Sequence, residues 1–141
     1  MRRCGARGAA LGGVAALTLA LAGCGAEYPD VFLLTRSGTI PGAKLSLLVN
    51  DGGTVSCNDG EPIQLPPELL LDAREIAREL EEETHADLTL PAPPGSLLRF
   101  RLRTIEGTLS FSDADAARRP RLGAVVAFAR TAAKDVCGLA R

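Results

Sequence analysis

Cys24 is the residue whose surroundings point most directly to chemistry on its side chain. It follows Leu21, Ala22 and Gly23, which end the apolar run 11–21 that lies behind a basic N-terminus. A basic start, a short apolar run and a small-residue end are typical of an export signal that a peptidase removes. A transmembrane helix is disfavoured, because it needs about 18 or more consecutive apolar residues. An ordinary secretory signal that is cleaved elsewhere is the alternative.

The sequence Leu21-Ala22-Gly23-Cys24 resembles the lipobox of bacterial lipoproteins, in which the cysteine receives a diacylglycerol and the preceding segment is cut away. The resemblance implies a signal peptide over residues 1–23, a lipidated tether over residues 24–30 and a single domain over residues 31–141. Two or more acyl chains, such as palmitate, hold a protein stably on a bilayer. We therefore expect a protein of the cell envelope that is anchored to the extracytoplasmic face of the cell membrane.

The other cysteines predict a disulfide. Cys4 leaves with the signal peptide and Cys24 carries the lipid, so Cys57 and Cys137 form an even pair in an oxidising compartment. A bridge between them would close a loop of about 80 residues and stabilise the fold by roughly 4 kcal/mol. The alternative is two buried free thiols. A zinc site is disfavoured, since two lone thiols lack the paired spacing of zinc ligands.

The remaining polar residues do not form a catalytic or metal-binding motif. His85 is the single histidine, and the acidic residues before it favour a solvated helix end over a weak cation site. Ser110 and Ser112 alternate with apolar residues, as the exposed face of a strand does. Asp113 or Asp115 is expected to cap the helical segment that follows. We therefore predict a protein that has no enzymatic activity and binds no metal or cofactor.

The charge of the chain argues against nucleic acid as a partner. The 141-residue chain has a formal charge of −1, and loss of its basic N-terminus leaves the domain more acidic. An acidic protein is repelled by nucleic acid and by an anionic membrane surface. With 4% aromatic residues and no tryptophan, the chain is also unsuited to stacking against sugars or bases.

The hydrophobic pattern predicts an α+β domain, in which an antiparallel sheet of about five strands carries two amphipathic helices on one face. The element order is β-β-β-α-β-β-α, with the first helix starting at Pro66. A turn at residues 51–53 pairs Val49 with Val55, which places the apolar residues of both strands on one face. The same register pairs Leu47 with Cys57. The predicted strands cover residues 31–36, 44–50, 54–58 and 96–104, with a fifth after Gly107.

The sequence also predicts where the last hairpin turns and where the last helix ends. A two-residue turn at Glu106 and Gly107 would pair Leu102 with Phe111 and bring the apolar faces of both strands together. The last helix is predicted over residues 120–137. Gly138 is expected to follow that helix in the left-handed conformation.

Two surfaces are predicted as places where a partner could bind. The first is a turn between the first two strands, and its candidate contact residues are Gly38, Thr39, Ile40 and Pro41. The second is a cationic stripe on the exposed face of a strand, formed by Arg99, Arg101 and Arg103. Such a stripe could contact an acidic partner or lipid head groups. A solvated sheet face that the charges keep soluble is the favoured interpretation of the stripe, and contact with a partner is the alternative.

Two parts of the domain resemble emfourin-like proteins, which are small inhibitors of thermolysin-like metalloproteases. The first part is Thr35-Arg36-Ser37-Gly38 with Pro41-Gly42 and the strand 45–50. The second part is Arg99-Phe100-Arg101-Leu102, leading to Gly107 and Phe111-Ser112-Asp113. The two helices also fall in the same order. The resemblance implies a metalloprotease inhibitor whose contact surface is the loop 37–42 or the arginine strand.

The sequence therefore leads to one expected function and one alternative. The expected function is a membrane-anchored lipoprotein whose domain binds or interacts with an unknown protein partner in the cell envelope. The alternative is inhibition of a thermolysin-like metalloprotease. Loss of metalloprotease inhibition on mutating Ile40 would favour the alternative over the expected function.

Overall fold

Alternating apolar residues build an open antiparallel sheet of six strands in the computed structural model, which describes residues 29–139. The strands are β1 (Asp30–Gly38), β2 (Leu45–Asn50), β3 (Thr54–Cys57), β4 (Ile63–Gln64), β5 (Leu98–Arg103) and β6 (Thr108–Ser112). The helices are α1 (Pro67–Glu79), α2 (Glu81–His85), α3 (Asp113–Ala116) and α4 (Pro120–Thr131), with a π-helical turn at Ala132–Val136. The strand order is β4-β3-β2-β1-β5-β6, with the nine-residue β1 inside the sheet. The predicted α+β class and antiparallel sheet are confirmed.

The period of two along the strands gives the sheet a covered face and an open face. Phe32 and Leu34 of β1 and Phe100 and Leu102 of β5 are buried on the covered face. Burying a large apolar side chain stabilises a fold by roughly 1.5–3 kcal/mol. On the open face, as the strand registers define it, lie Asp30, Leu33, Thr35, Ser37, Ser46, Leu48, Asn50, Thr54, Ser56, Gln64, Arg99, Arg101, Arg103, Thr108, Ser110 and Ser112.

One predicted register is confirmed and the other is wrong by two residues. Val49 lies opposite Val55, and Leu47 lies opposite Cys57, as the turn at residues 51–53 requires. In the last hairpin, however, Leu102 lies opposite Leu109. The shift is an even number of residues, so it exchanges the partners without moving any side chain to the other face.

The shift in the last hairpin has a tertiary cause. The turn residues are Ile105 and Glu106, because the Thr104 N–H donates to the Gly107 carbonyl at 2.9 Å. Gly107 has a φ of 153°, and a Cβ there would lie 2.2 Å from the carbonyl oxygen of Thr84 in α2. The close approach of α2 therefore fixes where the turn forms, and the turn leaves Ile105 at the tip of the hairpin.

The helix that starts after Pro66 is interrupted. It is α1 as far as Glu79, and Leu80 then adopts a φ of −108° before the short helix α2 begins. The last predicted helix is α4 followed by the π-helical turn, and Gly138 has the expected positive φ of 62°. Within residues 29–139, no helix has both the length and the apolar character needed to cross a bilayer.

The structure at the start of α3 differs from the predictions for Ser112, Asp113 and Asp115. Ser112 is fully buried rather than exposed, and it is the cap. Its hydroxyl accepts from the Asp115 N–H at 3.1 Å, and the Asp115 carboxylate accepts from the Ser112 N–H at 2.9 Å. Burial alone raises the pKa of Asp115, but the two Ser112 hydrogen bonds, with Arg119 and Arg99, lower that pKa overall.

The predicted disulfide is confirmed. Cys57 at the end of β3 is bonded to Cys137, which directly follows the π-helical turn. The two Cα atoms lie 6.1 Å apart, and the bridge spans 80 positions of sequence. The bond therefore joins the sheet to the C-terminal helical segment.

Candidate functional site

The loop between β1 and β2 is held in one conformation by a turn and an arginine. The Ala43 N–H donates to the Ile40 carbonyl at 3.1 Å across Pro41 and Gly42, and Gly42 has a φ of 72°. Proline followed by glycine at positive φ is characteristic of a type II turn. Arg36 donates from Nε to the Ala43 carbonyl at 2.8 Å and from Nη2 to the Gly42 carbonyl at 3.0 Å. The arginine thus fixes the outer half of the turn.

The inner half of this loop is fixed against the start of β5. The Thr39 N–H donates to the Leu97 carbonyl at 3.2 Å. A Cβ on Gly38 would lie 2.2 Å from the same carbonyl oxygen, so the backbones meet where only glycine fits. The Leu97 N–H in turn donates to the Asp113 carboxylate at 3.2 Å. The loop, the start of β5 and the start of α3 therefore form one connected region, which we call the loop end.

Two apolar side chains stay exposed on this rigid region. Ile40 is 41% exposed and Leu97 is 50% exposed. The predicted contact residues Gly38, Thr39, Ile40 and Pro41 all lie at the loop end. Leu97 was not among the predicted contacts. The adjacent pair Leu97-Leu98 could have indicated that one leucine is exposed. Successive side chains of a strand point to opposite faces, so only one of two adjacent leucines can face the core.

The three arginines of the predicted stripe are not equivalent. Residues 88–90 run alongside β6, and the Leu90 carbonyl accepts from Nη1 of Arg99 at 3.0 Å. Arg99 is therefore half-buried and holds that segment in place. Arg101 and Arg103 are exposed, and neither forms an ion pair with any residue from 29 to 139. They are free to meet an external anion.

The stripe and the loop do not combine into a single site. Arg99 lies opposite Ser37 next to the loop, whereas Arg103 lies opposite Leu33 towards the start of β1. Arg99, which has a structural role, is the arginine next to the loop. The exposed Arg101 and Arg103 lie progressively farther from it. The loop and the two exposed arginines are therefore separate surfaces of the domain.

A groove of about 700 Å³ opens beside the loop. It is lined by cationic and polar groups that include Arg36, Lys44, Asn58 and Asp59. Burial, and then the nearby charge of Arg130, lower the pKa of Arg36. This guanidinium gives up part of its hydration to hold the loop carbonyls, which agrees with a structural role.

His85 lies apart from both surfaces. Its side chain is 77% exposed, and its Nδ1 is 3.7 Å from a carboxylate oxygen of Glu106. This is the solvated helix end that the sequence favours. Across residues 29–139, no three histidine, cysteine or acidic side chains are grouped so that they could hold a metal ion.

Cys24, the predicted site of lipid attachment, lies outside the described residues. Comparisons of the chain with known protein families, with curated proteins and with solved structures found no match.

Proposed function

We propose that the protein is a lipoprotein anchored through Cys24 to the extracytoplasmic face of the cell membrane, where its domain binds another protein without catalysing a reaction. The rigid loop end is the observation that carries the binding role. Ile40 and Leu97 are exposed on backbones that are fixed by hydrogen bonds, by Arg36 and by a close contact at Gly38. A surface that is already ordered loses little conformational entropy when it binds.

The direction of β1 supports the same arrangement. The nine-residue strand starts at Asp30, next to the predicted tether, and ends at Gly38 beside the loop. At about 3.3 Å per residue, the strand separates these two ends by roughly 30 Å. A domain that is tethered near Asp30 therefore presents Ile40 well away from the anchor, where a protein partner can reach it.

Metabolic labelling tests the anchor. Cells that express the full chain are grown with labelled palmitate, and the Cys24→Ala and Cys4→Ala variants are compared with the wild type. We expect label on the wild type and on the Cys4→Ala variant, because only Cys24 follows the lipobox. Label on the Cys24→Ala variant, or none on the wild type, would overturn the anchor.

Site-specific crosslinking tests the binding surface. A photoactivatable amino acid replaces Ile40 at the loop end, and the matched control replaces Leu71, which is 63% exposed on α1. We expect a discrete crosslinked protein from position 40 in intact cells and none from position 71. Equal labelling from both positions would show that the loop end has no specific partner.

Inhibition of a thermolysin-like metalloprotease is the second candidate function. The emfourin resemblance motivates it, and the fixed turn that carries Ile40 supports it, because protease inhibitors bind with little backbone movement. Purified protein is titrated against such a protease, with Ile40→Asp as the test variant and Leu71→Asp as the control. We expect Ile40→Asp to weaken inhibition at least about tenfold, which corresponds to roughly 1.4 kcal/mol. Absence of inhibition by the wild type would eliminate this candidate and leave the binding role.

A further inference from the structure

The acidic net charge of the chain conceals a separation of charge between two faces. The helices α1 and α2 carry seven of the sixteen acidic groups within residues 29–139, namely Glu68, Asp72, Glu75, Glu79, Glu81, Glu82 and Glu83. Among the strand residues of the open face, three are arginines and one, Asp30 at the start of β1, is acidic. The expectation that net charge keeps the protein from an anionic membrane therefore does not apply to the open face.

The start of the described chain and the tip of the last hairpin lie together at one edge of this face. Pro29, Asp30, Leu33, Arg103 and Ile105 line the same shallow depression, of about 260 Å³. Ile105 is 90% exposed, more than any other large apolar side chain of residues 29–139. We call this region the tether end. An apolar tip beside an unpaired guanidinium matches the boundary between acyl chains and phosphates in a bilayer.

The tether is short enough to bring this edge to the membrane. Cys24 precedes Pro29 by five residues, and a fully extended chain of that length spans at most about 18 Å. An anchored domain therefore meets its own membrane at a high effective concentration, so that even a weak surface contact is populated.

We infer that the open face is the membrane-facing surface of the anchored protein. Ile105 enters the interface of the bilayer, and Arg103 and Arg101 contact the phosphates of anionic phospholipids. The helices and their acidic groups then point away from the membrane. This inference rests on the lipid anchor of the proposed function and adds the orientation of the domain to it.

The carboxylates around the tether end do not oppose this orientation. Asp51 and Glu106 lie in turns at the rim of the open face, Asp30 lies on that face at the start of β1, and each has a partner within the domain. Asp51 pairs with Arg74 at 2.7 Å, Asp30 accepts from Asn50 at 3.3 Å, and Glu106 lies 3.7 Å from His85. The charge of Asp51 is therefore met by that of Arg74, whereas Arg101 and Arg103 are unpaired within residues 29–139.

Tryptophan fluorescence of the mature lipoprotein in vesicles tests the orientation. The chain has no tryptophan, so Ile105→Trp introduces a single reporter, and Leu71→Trp on α1 is the matched control. The vesicles contain phosphatidylcholine with about one third phosphatidylglycerol, with or without brominated acyl chains. We expect a blue-shifted emission that brominated lipid quenches for Ile105→Trp, and a water-like, unquenched emission for Leu71→Trp.

A charge reversal tests the cationic contact. Arg103→Glu, added to Ile105→Trp, is expected to reduce the quenching by brominated lipid at least about twofold, and raised salt is expected to act in the same direction. Arg118→Glu is the control, because this exposed arginine lies off the open face. Equal quenching with Arg103→Glu and with Arg118→Glu would overturn the contact between arginine and phosphate.

Flotation of the same vesicles separates failure of the orientation from failure of the anchor. If the wild type floats but Ile105→Trp emits as in water, the orientation is overturned and the lipoprotein assignment stands. If the wild type does not float, the anchor fails and the orientation fails with it.

Discussion

The loop end and the tether end of the sheet each expose one isoleucine, but they do so in different ways. Ile40 is 41% exposed on a turn whose carbonyls are held by Arg36, whereas Ile105 is 90% exposed at the tip of a hairpin turn. A partly packed side chain on a fixed backbone suits a partner that has a shape of its own. A fully exposed tip beside free arginines suits a partner without a fixed shape, such as a bilayer. The comparison indicates that exposure alone does not identify a binding surface.

The disulfide adds to the order of the loop end. Cys57 lies opposite Leu47 at the end of β3 that leads towards the loop. The next residue, Asn58, accepts from the Ser46 N–H at 2.9 Å and donates its own N–H to the Ser46 carbonyl at 2.8 Å. Covalent and hydrogen bonds are thus concentrated in the half of the sheet that carries the proposed protein contact.

Removal of the disulfide is expected to have the largest effect. The Cys57→Ala and Cys137→Ala double variant frees a closed loop of about 80 residues, which should lower the free energy of unfolding by roughly 4 kcal/mol. Urea unfolding measures the loss, and amide exchange should accelerate in β2 and β3 more than at Thr104–Gly107. A reductant should lower the stability of the wild type but not of the variant. Equal acceleration at both ends would contradict the assignment of the disulfide to the loop end.

Gly38→Ala is the next largest perturbation of the loop end. Its Cβ would lie 2.2 Å from the Leu97 carbonyl oxygen, so the two backbones must move apart. Overpacking of this kind costs about 1–3 kcal/mol, and thermal unfolding reports it. Gly123→Ala is the control, because its Cβ would lie 3.4 Å from the nearest carbonyl oxygen and alanine favours a helix. A destabilisation by Gly123→Ala that equals that of Gly38→Ala would remove the argument from close approach.

Arg36→Met should have a smaller effect that is local to the loop. The variant leaves the Gly42 and Ala43 carbonyls without their charged donor and should cost about 1–2 kcal/mol. Faster amide exchange at Thr39 and Ala43 would show that the loop loosens. Arg130→Met removes the neighbouring positive charge without touching these carbonyls, so the loop should stay protected. Equal loosening by both variants would show that charge, rather than hydrogen bonding, orders the loop.

Local pattern predicted the fold well, and tertiary contacts explain what it missed. The alternation of apolar residues in β1, β2 and β5 is a property of adjacent positions, and it fixed the faces and the β2–β3 register. The turn at Ile105 was misplaced because its position depends on the approach of Thr84 to Gly107 from a distant part of the chain. The order of the sheet, with β5 beside β1, likewise arises from contacts far apart in sequence.

The candidate site was predicted in part for the same reason. The loop was marked by its glycine and proline content, but the hydrogen bonds of Arg36 to its carbonyls join residues that no short motif relates. The arginine stripe was visible as a period of two. The different role of Arg99 follows from the path of residues 88–90, which passes over it and accepts its hydrogen bond. The sequence pattern predicted where the two surfaces lie. The packing of the folded chain then shows which of their residues have a structural role.

The smallest expected effect distinguishes the two isoleucines. Ile105→Ser should change the free energy of unfolding by less than about 0.5 kcal/mol, as is usual for an exposed position. Ile40→Ser should cost about 1 kcal/mol, because part of a burial worth roughly 1.5–3 kcal/mol is lost. Urea unfolding of both variants gives the difference. If Ile105→Ser destabilised the domain as much as Ile40→Ser, the hairpin tip would be packed in solution. Its apolar surface would then be unavailable to a membrane, and the contrast between the two ends would no longer hold.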